Sequence, residues 1–202
     1  MRFYALLIVA SIAAIAAVPD PIPSAAKKTT LYFPVEVGTK WVYQWDNEQE
    51  IREITAVEDK KGAKIVTVSE IGKDNKLSPC EVISVTEQEL VLLSQFGKEL
   101  KPPVCLLKIP CKSGDNWKCD SNWFRGRDVT GANAKVCEIE ELEVPSGKFT
   151  AICVEREYAL NSTSGGYKWK EWFAPGIGRV KMIEYFDGPR GAVLKSFTPG
   201  KQ

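Results

Sequence analysis

Hydrophobic and polar residues alternate over much of the chain from residue 31 onward. Trp41, Tyr43 and Trp45 share one parity, with polar or smaller residues between them. A period of two over short runs indicates half-buried β-strands, because successive side chains on a strand point to opposite faces of the sheet. No stretch has a convincing helical period, so the sequence predicts a mainly β protein. Shorter alternating runs lie at 66–68, 83–85, 90–92 and 183–185.

Clusters of turn-forming residues separate these runs at short intervals. They fall at 59–62, 72–75, 101–103, 145–147, 164–166 and 187–189. Turns spaced in this way favour an antiparallel meander that forms a strongly curved sheet, a half-barrel or a sandwich. We expect a single β-domain over 31–198.

Two segments share the pattern apolar-Pro-x3-Gly-x2-Trp, at 33–41 and at 109–117. In each, a glycine stands where a turn needs an unusual φ and a tryptophan opens the next strand. The pattern fits an internal duplication, with halves at about 31–104 and 105–198. Two turns that arose independently remain an equal alternative, because only three of the nine positions are identical.

The N-terminus has the features of a secretory leader. Arg2 precedes an apolar run over 3–18, and Ala14-Ile15-Ala16 supplies small residues at a cleavage site. We predict a signal peptide at 1–17, a linker at 18–30, and a secreted or periplasmic location. The alternative is a retained anchor, although the run is shorter than the roughly 20 apolar residues of a membrane span.

Composition removes several classes of function. The chain has 27 Lys and Arg, 26 Asp and Glu, and no histidine. The near-neutral balance argues against a strongly basic nucleic-acid binder. Without histidine there is no Ser-His or Cys-His nucleophile pair and no His-ligated zinc. We expect no cofactor.

Six cysteines in an exported chain indicate disulfides. Sequence alone cannot choose among the 15 connectivities that six cysteines allow, and a nearest-neighbour scheme gives 80–105, 111–119 and 137–153. A metal site is disfavoured, because the closest spacings are C-x5-C and C-x7-C. The cysteines are Cys80, Cys105, Cys111, Cys119, Cys137 and Cys153.

Glycines and carboxylates offer chemistry that the surrounding sequence does not support. The 174–178 loop resembles an anion cradle, but the residues after it alternate like a strand, so a turn is expected instead. Carboxylates could serve a hydrolase that needs only two of them. Strand alternation is expected to place most of the carboxylates on a solvated face, paired with Lys148, Arg156, Lys168 and Lys170. These carboxylates are Glu138, Glu140, Glu141, Glu143, Glu155, Glu157 and Glu171. The glycines predicted to form structural turns are Gly38, Gly114, Gly147, Gly176 and Gly178.

Aromatic residues are the best candidates for a binding function. On a concave sheet face they would offer an apolar groove for an acyl chain or an extended peptide. The alternative is ordinary core packing, which the Trp41, Tyr43 and Trp45 stripe favours. The candidate ligand-binding residues are Trp117, Trp123, Phe124, Trp169 and Trp172.

Several motifs resemble those of a group of exported bacterial β-proteins of unknown function, some of which are called TapB-like. The motifs read G-x2-W-x-Y at 38–43, V-P-[AS]-G-x-F at 144–149 and W-[FY]-A-P-G-[IV]-G-x-V at 172–180. The resemblance covers most of the chain from Leu31 to about Ser196. Such proteins are similar in outline to periplasmic lipoprotein carriers, which bend an antiparallel sheet around an acyl chain. The resemblance supplies no catalytic residues.

These observations lead to one main hypothesis and two alternatives. The main hypothesis is a non-enzymatic exported β-domain that binds a hydrophobic ligand, such as a lipid, or an envelope partner in an aromatic-lined concavity. The first alternative is a structural or assembly module of the cell envelope. The second is a carboxylate-dependent hydrolase. No nucleic acid partner is expected, nor a membrane span after cleavage of the leader.

Overall fold

The computed structural model describes residues 31–119, 123–124, 127–160, 166–186 and 188–201, which contain thirteen β-strands and no helix. The predicted leader and linker lie outside these residues. The strands are β1 Lys40–Trp45, β2 Glu48–Lys60, β3 Ala63–Ile71, β4 Leu77–Val85, β5 Glu89–Gln95, β6 Lys98–Lys108, β7 Asn116–Cys119, β8 Trp123–Phe124, β9 Arg127–Val144, β10 Gly147–Leu160, β11 Gly166–Ala174, β12 Gly178–Tyr185 and β13 Pro189–Thr198.

The sheet is an antiparallel meander whose first and last strands also pair. Its order is β6-β5-β4-β3-β2-β1-β13-β12-β11-β10-β9-β7, and the short β8 pairs with β9. The β1–β13 register runs from Lys40 opposite Thr198 to Trp45 opposite Ala192, with one bulge. This pairing joins the two ends of the chain and leaves β6 and β7 as the outer strands.

The outer strands approach each other, so the sheet nearly closes into a barrel. Trp117 on β7 donates its indole N–H to the Cys105 carbonyl on β6 at 3.0 Å. The Cys119 Sγ lies 3.6 Å from the same carbonyl. We call this junction between β6 and β7 the barrel seam. Side chains make these contacts, and no backbone ladder joins the two strands in the described residues. The predicted all-β, strongly curved meander is confirmed.

The aromatic stripe on β1 faces the inside of the barrel. Trp41, Tyr43 and Trp45 are all buried. Trp41 donates its indole N–H to the Ile177 carbonyl at 2.7 Å, and the Tyr43 hydroxyl donates to the Arg179 carbonyl at 3.0 Å. These bonds tie β1 to the region around the start of β12, which lies two strands away in the sheet.

The two Pro-Gly-Trp segments have the same local geometry. Gly38 and Gly114 have φ of 84° and 89°. Gly38 donates its N–H to the Ile54 carbonyl at 2.8 Å, and Gly114 donates to the Val136 carbonyl at 2.9 Å. In each turn, the residue after the glycine also donates its backbone N–H to the carbonyl of the residue two positions before the glycine, and this bond closes the turn. The two turns are structural equivalents, while the duplication itself stays a prediction.

The loop between β11 and β12 is a turn whose glycines have positive φ. Gly176 and Gly178 have φ of 73° and 85°. A Cβ added to Gly178 would lie 3.0 Å from the ring of Phe33, so only a glycine lets that ring pack here. The loop therefore packs against the segment that precedes β1. Gly147, between β9 and β10, also has positive φ, at 138°.

No disulfide joins any of the six cysteines, all of which lie in the described part of the chain. The expected bridges 80–105, 111–119 and 137–153 are therefore not formed in this structure. The first also conflicts with the topology, because β5 separates the strands that carry Cys80 and Cys105. Cys137 and Cys153, in contrast, face each other across a bulge between β9 and β10.

Candidate functional site

A group of charged side chains fills the middle of the barrel. Each is at most 5% exposed, which is unusual for ionised groups and requires that they be paired. Each projects from a different strand, so the nearly closed sheet brings together residues that are far apart in the sequence. We call this group the interior ion network, and its members are Arg52 on β2, Glu81 on β4, Arg156 on β10, Glu171 on β11 and Arg179 on β12.

The network is continuous and charge-paired. Glu171 accepts hydrogen bonds from both Arg156 and Arg179. The Arg179 guanidinium reaches Glu81 at 2.7 Å, and Arg52 lies 3.4 Å from the other oxygen of Glu81. Arg156 also donates to the Leu106 carbonyl on β6, across the barrel seam. The network therefore links both sides of the seam.

The electrostatics keep the network ionised. Burial alone would raise the pKa of Glu171, but Arg179 and Arg156 hold that pKa below its ordinary value. Burial alone would lower the pKa of Arg179, but Glu171 and Glu81 raise it above its ordinary value. A general acid needs a carboxyl with a raised pKa, so Glu171 has the opposite tuning. Arg52 also pairs with Glu50, which brings the group to three guanidiniums and three carboxylates.

Little free space remains beside the network. A cavity bordered by Arg179, Trp169 and Met182, among others, measures about 10 Å³. A cavity of that size holds about one water molecule. This part of the barrel is a packed core.

Aromatic rings lead from this core to one end of the barrel. Trp45 and Trp169 lie 6.3 Å apart between ring centroids, and Tyr167 stacks on Trp169 at 6.4 Å with 17° between the planes. Tyr167 also contacts Tyr158 at 6.2 Å and Phe186 at 5.8 Å. Phe186 is 41% exposed, whereas the other four are buried. We call these five residues the aromatic end.

Polar groups border the aromatic end. The Tyr167 hydroxyl donates to the Glu184 carboxylate at 3.0 Å. The Arg190 guanidinium lies 5.4 Å from the ring centroid of Trp45, within cation–π range. The Arg190 side chain is half exposed. The result is one exposed aromatic ring, supported by buried rings and flanked by charges.

The structure brings part of the predicted site together at this end. Trp169 belongs to the aromatic end. Trp123 and Phe124 form β8, which pairs with the first residues of β9. Because the start of β9 pairs with the end of β10, β8 lies at the same end of the sheet. The side chains of Trp123 and Phe124 lie outside the described part of the structure.

The other two predicted binding residues lie elsewhere. Trp117 is buried at the barrel seam. Trp172 is buried too, but it points away from the interior ion network. Its indole N–H donates to Glu140 at 2.6 Å, and the Lys181 ammonium lies 4.6 Å from its ring centroid. The predicted set is therefore not one contiguous site.

The charged residues of β10 and β11 divide between the two faces of the sheet. Glu155 pairs with Lys168 at 3.2 Å and with Lys170 at 3.1 Å, on the partly solvated face that was expected. Glu171 is an exception to the expectation for most of the carboxylates, and the solvated position expected for Arg156 was wrong, because both residues are buried inside the barrel. Glu171 shares strand parity with the inward-facing Trp169 and Phe173, and this signal was available in the sequence.

The described residues contain no helix that is long and apolar enough to cross a membrane. The same residues contain no group of three or more Cys, Asp or Glu side chains arranged to hold a metal ion.

Comparison with known proteins supports the fold and leaves the family open. No protein-family model and no curated protein matches the sequence. One similar crystal structure is a "putative lipoprotein" from Parabacteroides distasonis, with a TM-score of 0.53 and 14% identity, covering 85% of this chain and 100% of that one. Another is a "putative exported protein with YmcC-like fold" from Bacteroides fragilis, with a TM-score of 0.55 and 13% identity, covering 83% and 99%. At such identities the likeness shows a shared fold.

Proposed function

We propose that this protein is a non-enzymatic, exported β-domain that binds a partner protein of the cell envelope through its aromatic end. Export is supported by the predicted leader and by the two similar structures, which are described as a lipoprotein and an exported protein. The observation that carries the binding proposal is the exposed Phe186 ring on its support of buried aromatic residues.

The packed core argues for binding at the rim instead of deep inside the barrel. Trp169 and Met182 border a cavity of only about 10 Å³, and the interior ion network lies against it. An acyl chain that entered there would have to separate paired charges, and each charge depends on its partner to compensate for its burial. A side chain of a partner protein that rests on Phe186 would leave these pairs intact.

The composition of the aromatic end also fits a protein partner. Aromatic residues and arginine are enriched at protein interfaces, and they dominate binding energy when supported by rigid neighbours. Phe186 supplies the exposed apolar area, while Arg190 and Glu184 supply a polar rim. We expect the partner to contribute an apolar side chain flanked by polar groups.

Site-specific photo-crosslinking tests this proposal. A benzophenone amino acid replaces Phe186 in the full chain, and a matched variant carries it at Ile139, which is 50% exposed on β9. Irradiation in the native envelope should give a discrete adduct at position 186 and none at 139. Equal labelling at both positions, or no adduct at 186, would contradict the proposal.

A carrier of a hydrophobic small molecule is a second candidate, favoured by the stacked Tyr167 and Trp169 rings. In that case lipid extraction of the protein purified from its native envelope should release a stoichiometric apolar compound. Replacing Phe186 with glutamate should then reduce its amount. A protein that carries no such compound would favour the partner-binding proposal.

A further inference from the structure

Two cysteines from opposite outer strands meet at the barrel seam. Cys105 lies in β6 and Cys119 ends β7. The Cys119 Sγ is 3.6 Å from the Cys105 carbonyl oxygen, and Trp117 donates to that same oxygen at 3.0 Å. Backbone pairing links neither of these strands to the other among the described residues. A covalent bond at the seam would therefore join two strands that no backbone ladder joins in the described part of the chain.

We propose that Cys105 and Cys119 form a disulfide that covalently closes the barrel. Disulfides require Cα atoms about 4.4–6.8 Å apart, and a thiol in contact with its partner's own carbonyl group is compatible with that range. The Cys105 Sγ now lies 3.7 Å from the Leu107 carbonyl. Formation of the bond therefore requires the Cys105 sulfur to leave this carbonyl and meet the Cys119 sulfur.

Other cysteines fit this role less well. Cys111 was the predicted partner of Cys119, but it precedes β7 whereas Cys119 ends that strand. Cys80 is buried with its thiol on the Val68 carbonyl at 3.4 Å. Cys137 and Cys153 face each other, but β9 and β10 are already joined by backbone pairing. A bond between them would leave the seam unchanged.

The reaction is a thiol–disulfide exchange with a disulfide oxidant such as glutathione disulfide. One cysteine thiolate attacks the oxidant and releases one glutathione thiol. The second thiolate then attacks the mixed disulfide and releases the other. The two cysteines lose two electrons, the oxidant gains them, and the two thiol protons end on the two released glutathione molecules. Burial raises the pKa of Cys105 to about 11, so formation should accelerate as pH rises from 7 toward 9.

Peptide mapping can identify this bond without any substitution. Cleavage after lysine and arginine places the six cysteines on six separate peptides. The peptide with Cys105 spans 99–108, because the bond between Lys101 and Pro102 resists trypsin. The full chain is purified under reducing conditions, equilibrated with glutathione disulfide, and alkylated before digestion. The expected product joins peptides 99–108 and 119–125 and disappears after reduction.

Two variants serve as controls. Cys111→Ser should retain the linked peptide, whereas Cys105→Ser should abolish it and leave Cys119 alkylated. Linkage of Cys119 to any cysteine other than Cys105 would overturn the proposal, and so would complete alkylation of both residues after equilibration. Neither result depends on the proposed partner at the aromatic end, so the two proposals can fail separately.

Discussion

Glu171 is the residue whose replacement tests the interior ion network most sharply. Glu171→Gln keeps the size and one acceptor oxygen but removes the charge that faces both Arg156 and Arg179. Both guanidiniums are buried and stay ionised, so they would be left with less compensation. Removing one partner of a buried ion pair typically costs about 3–5 kcal/mol. We expect a loss of stability in that range, since one carboxylate here serves two cations.

The assay is denaturant unfolding followed by tryptophan fluorescence. The midpoint should fall while the slope m is unchanged, which marks a change in stability without a change in the unfolded state. The matched control is Glu155→Gln on the neighbouring strand, where the partners Lys168 and Lys170 are partly exposed. Surface pairs of this kind contribute about 0–1 kcal/mol, so the control should change little.

The pH dependence gives an independent check. The pKa of Glu171 in the folded protein lies below its ordinary value of 4.5, because Arg179 and Arg156 outweigh the effect of burial. The stability that its charge provides is therefore fully present above about pH 4.5 and is lost as pH falls through the folded-state pKa. The wild type and Glu171→Gln should converge at low pH. A deficit below about 1 kcal/mol at pH 7, or one that is unchanged at pH 3, would refute this reasoning.

Two further expectations follow from the turn glycines and the barrel seam. Gly178→Ala should destabilise the protein more than Gly62→Ala in thermal unfolding. Both glycines have positive φ, which costs about 1–2 kcal/mol for alanine. Only at Gly178 would the new Cβ also meet the Phe33 ring. Equal losses would show that this ring contact is unimportant. The oxidised protein with the Cys105–Cys119 bond should be about 3 kcal/mol more stable than the reduced protein, as the loop-entropy model gives for a loop of about 15 residues. Coincident denaturation curves would contradict that value.

The general architecture could be predicted because it depends on local patterns. Alternation at Trp41, Tyr43 and Trp45 identifies an inward-facing strand, and the structure buries all three. Turn clusters such as 59–62 and 145–147 fall at or beside observed hairpins. Strand period and turn chemistry are properties of short segments, so the sequence carries them directly.

The interior ion network could not be predicted in the same way. The parity of Glu171 with Trp169 and Phe173 indicates an inward carboxylate, but it does not name the cations that compensate its charge. Arg156 lies 15 residues from Glu171 in the sequence. Glu81 joins the network through Arg179, from which it is 98 residues away. These contacts depend on the pairing of β1 with β13, which brings the two ends of the chain together.

The aromatic end could be predicted only in part, because it too depends on how distant strands pair. Trp169 was a candidate because of its residue type, whereas no pattern in the sequence distinguishes Phe186 and Tyr158 from other aromatic residues. They come together because the hairpins β10–β11 and β12–β13 end at the same side of the sheet. The sequence shows the number of aromatic residues, and only the strand register shows which of them meet.

The central claim is that the aromatic end is a binding surface. The most direct test is the crosslinking yield at position 186 in the native envelope, measured against the yield at position 139 in the same preparation. Both side chains are exposed to a similar degree, at 41% and 50%, so exposure alone predicts similar yields. We expect one defined adduct at Phe186 and none at Ile139. Indistinguishable labelling at the two positions would contradict the claim.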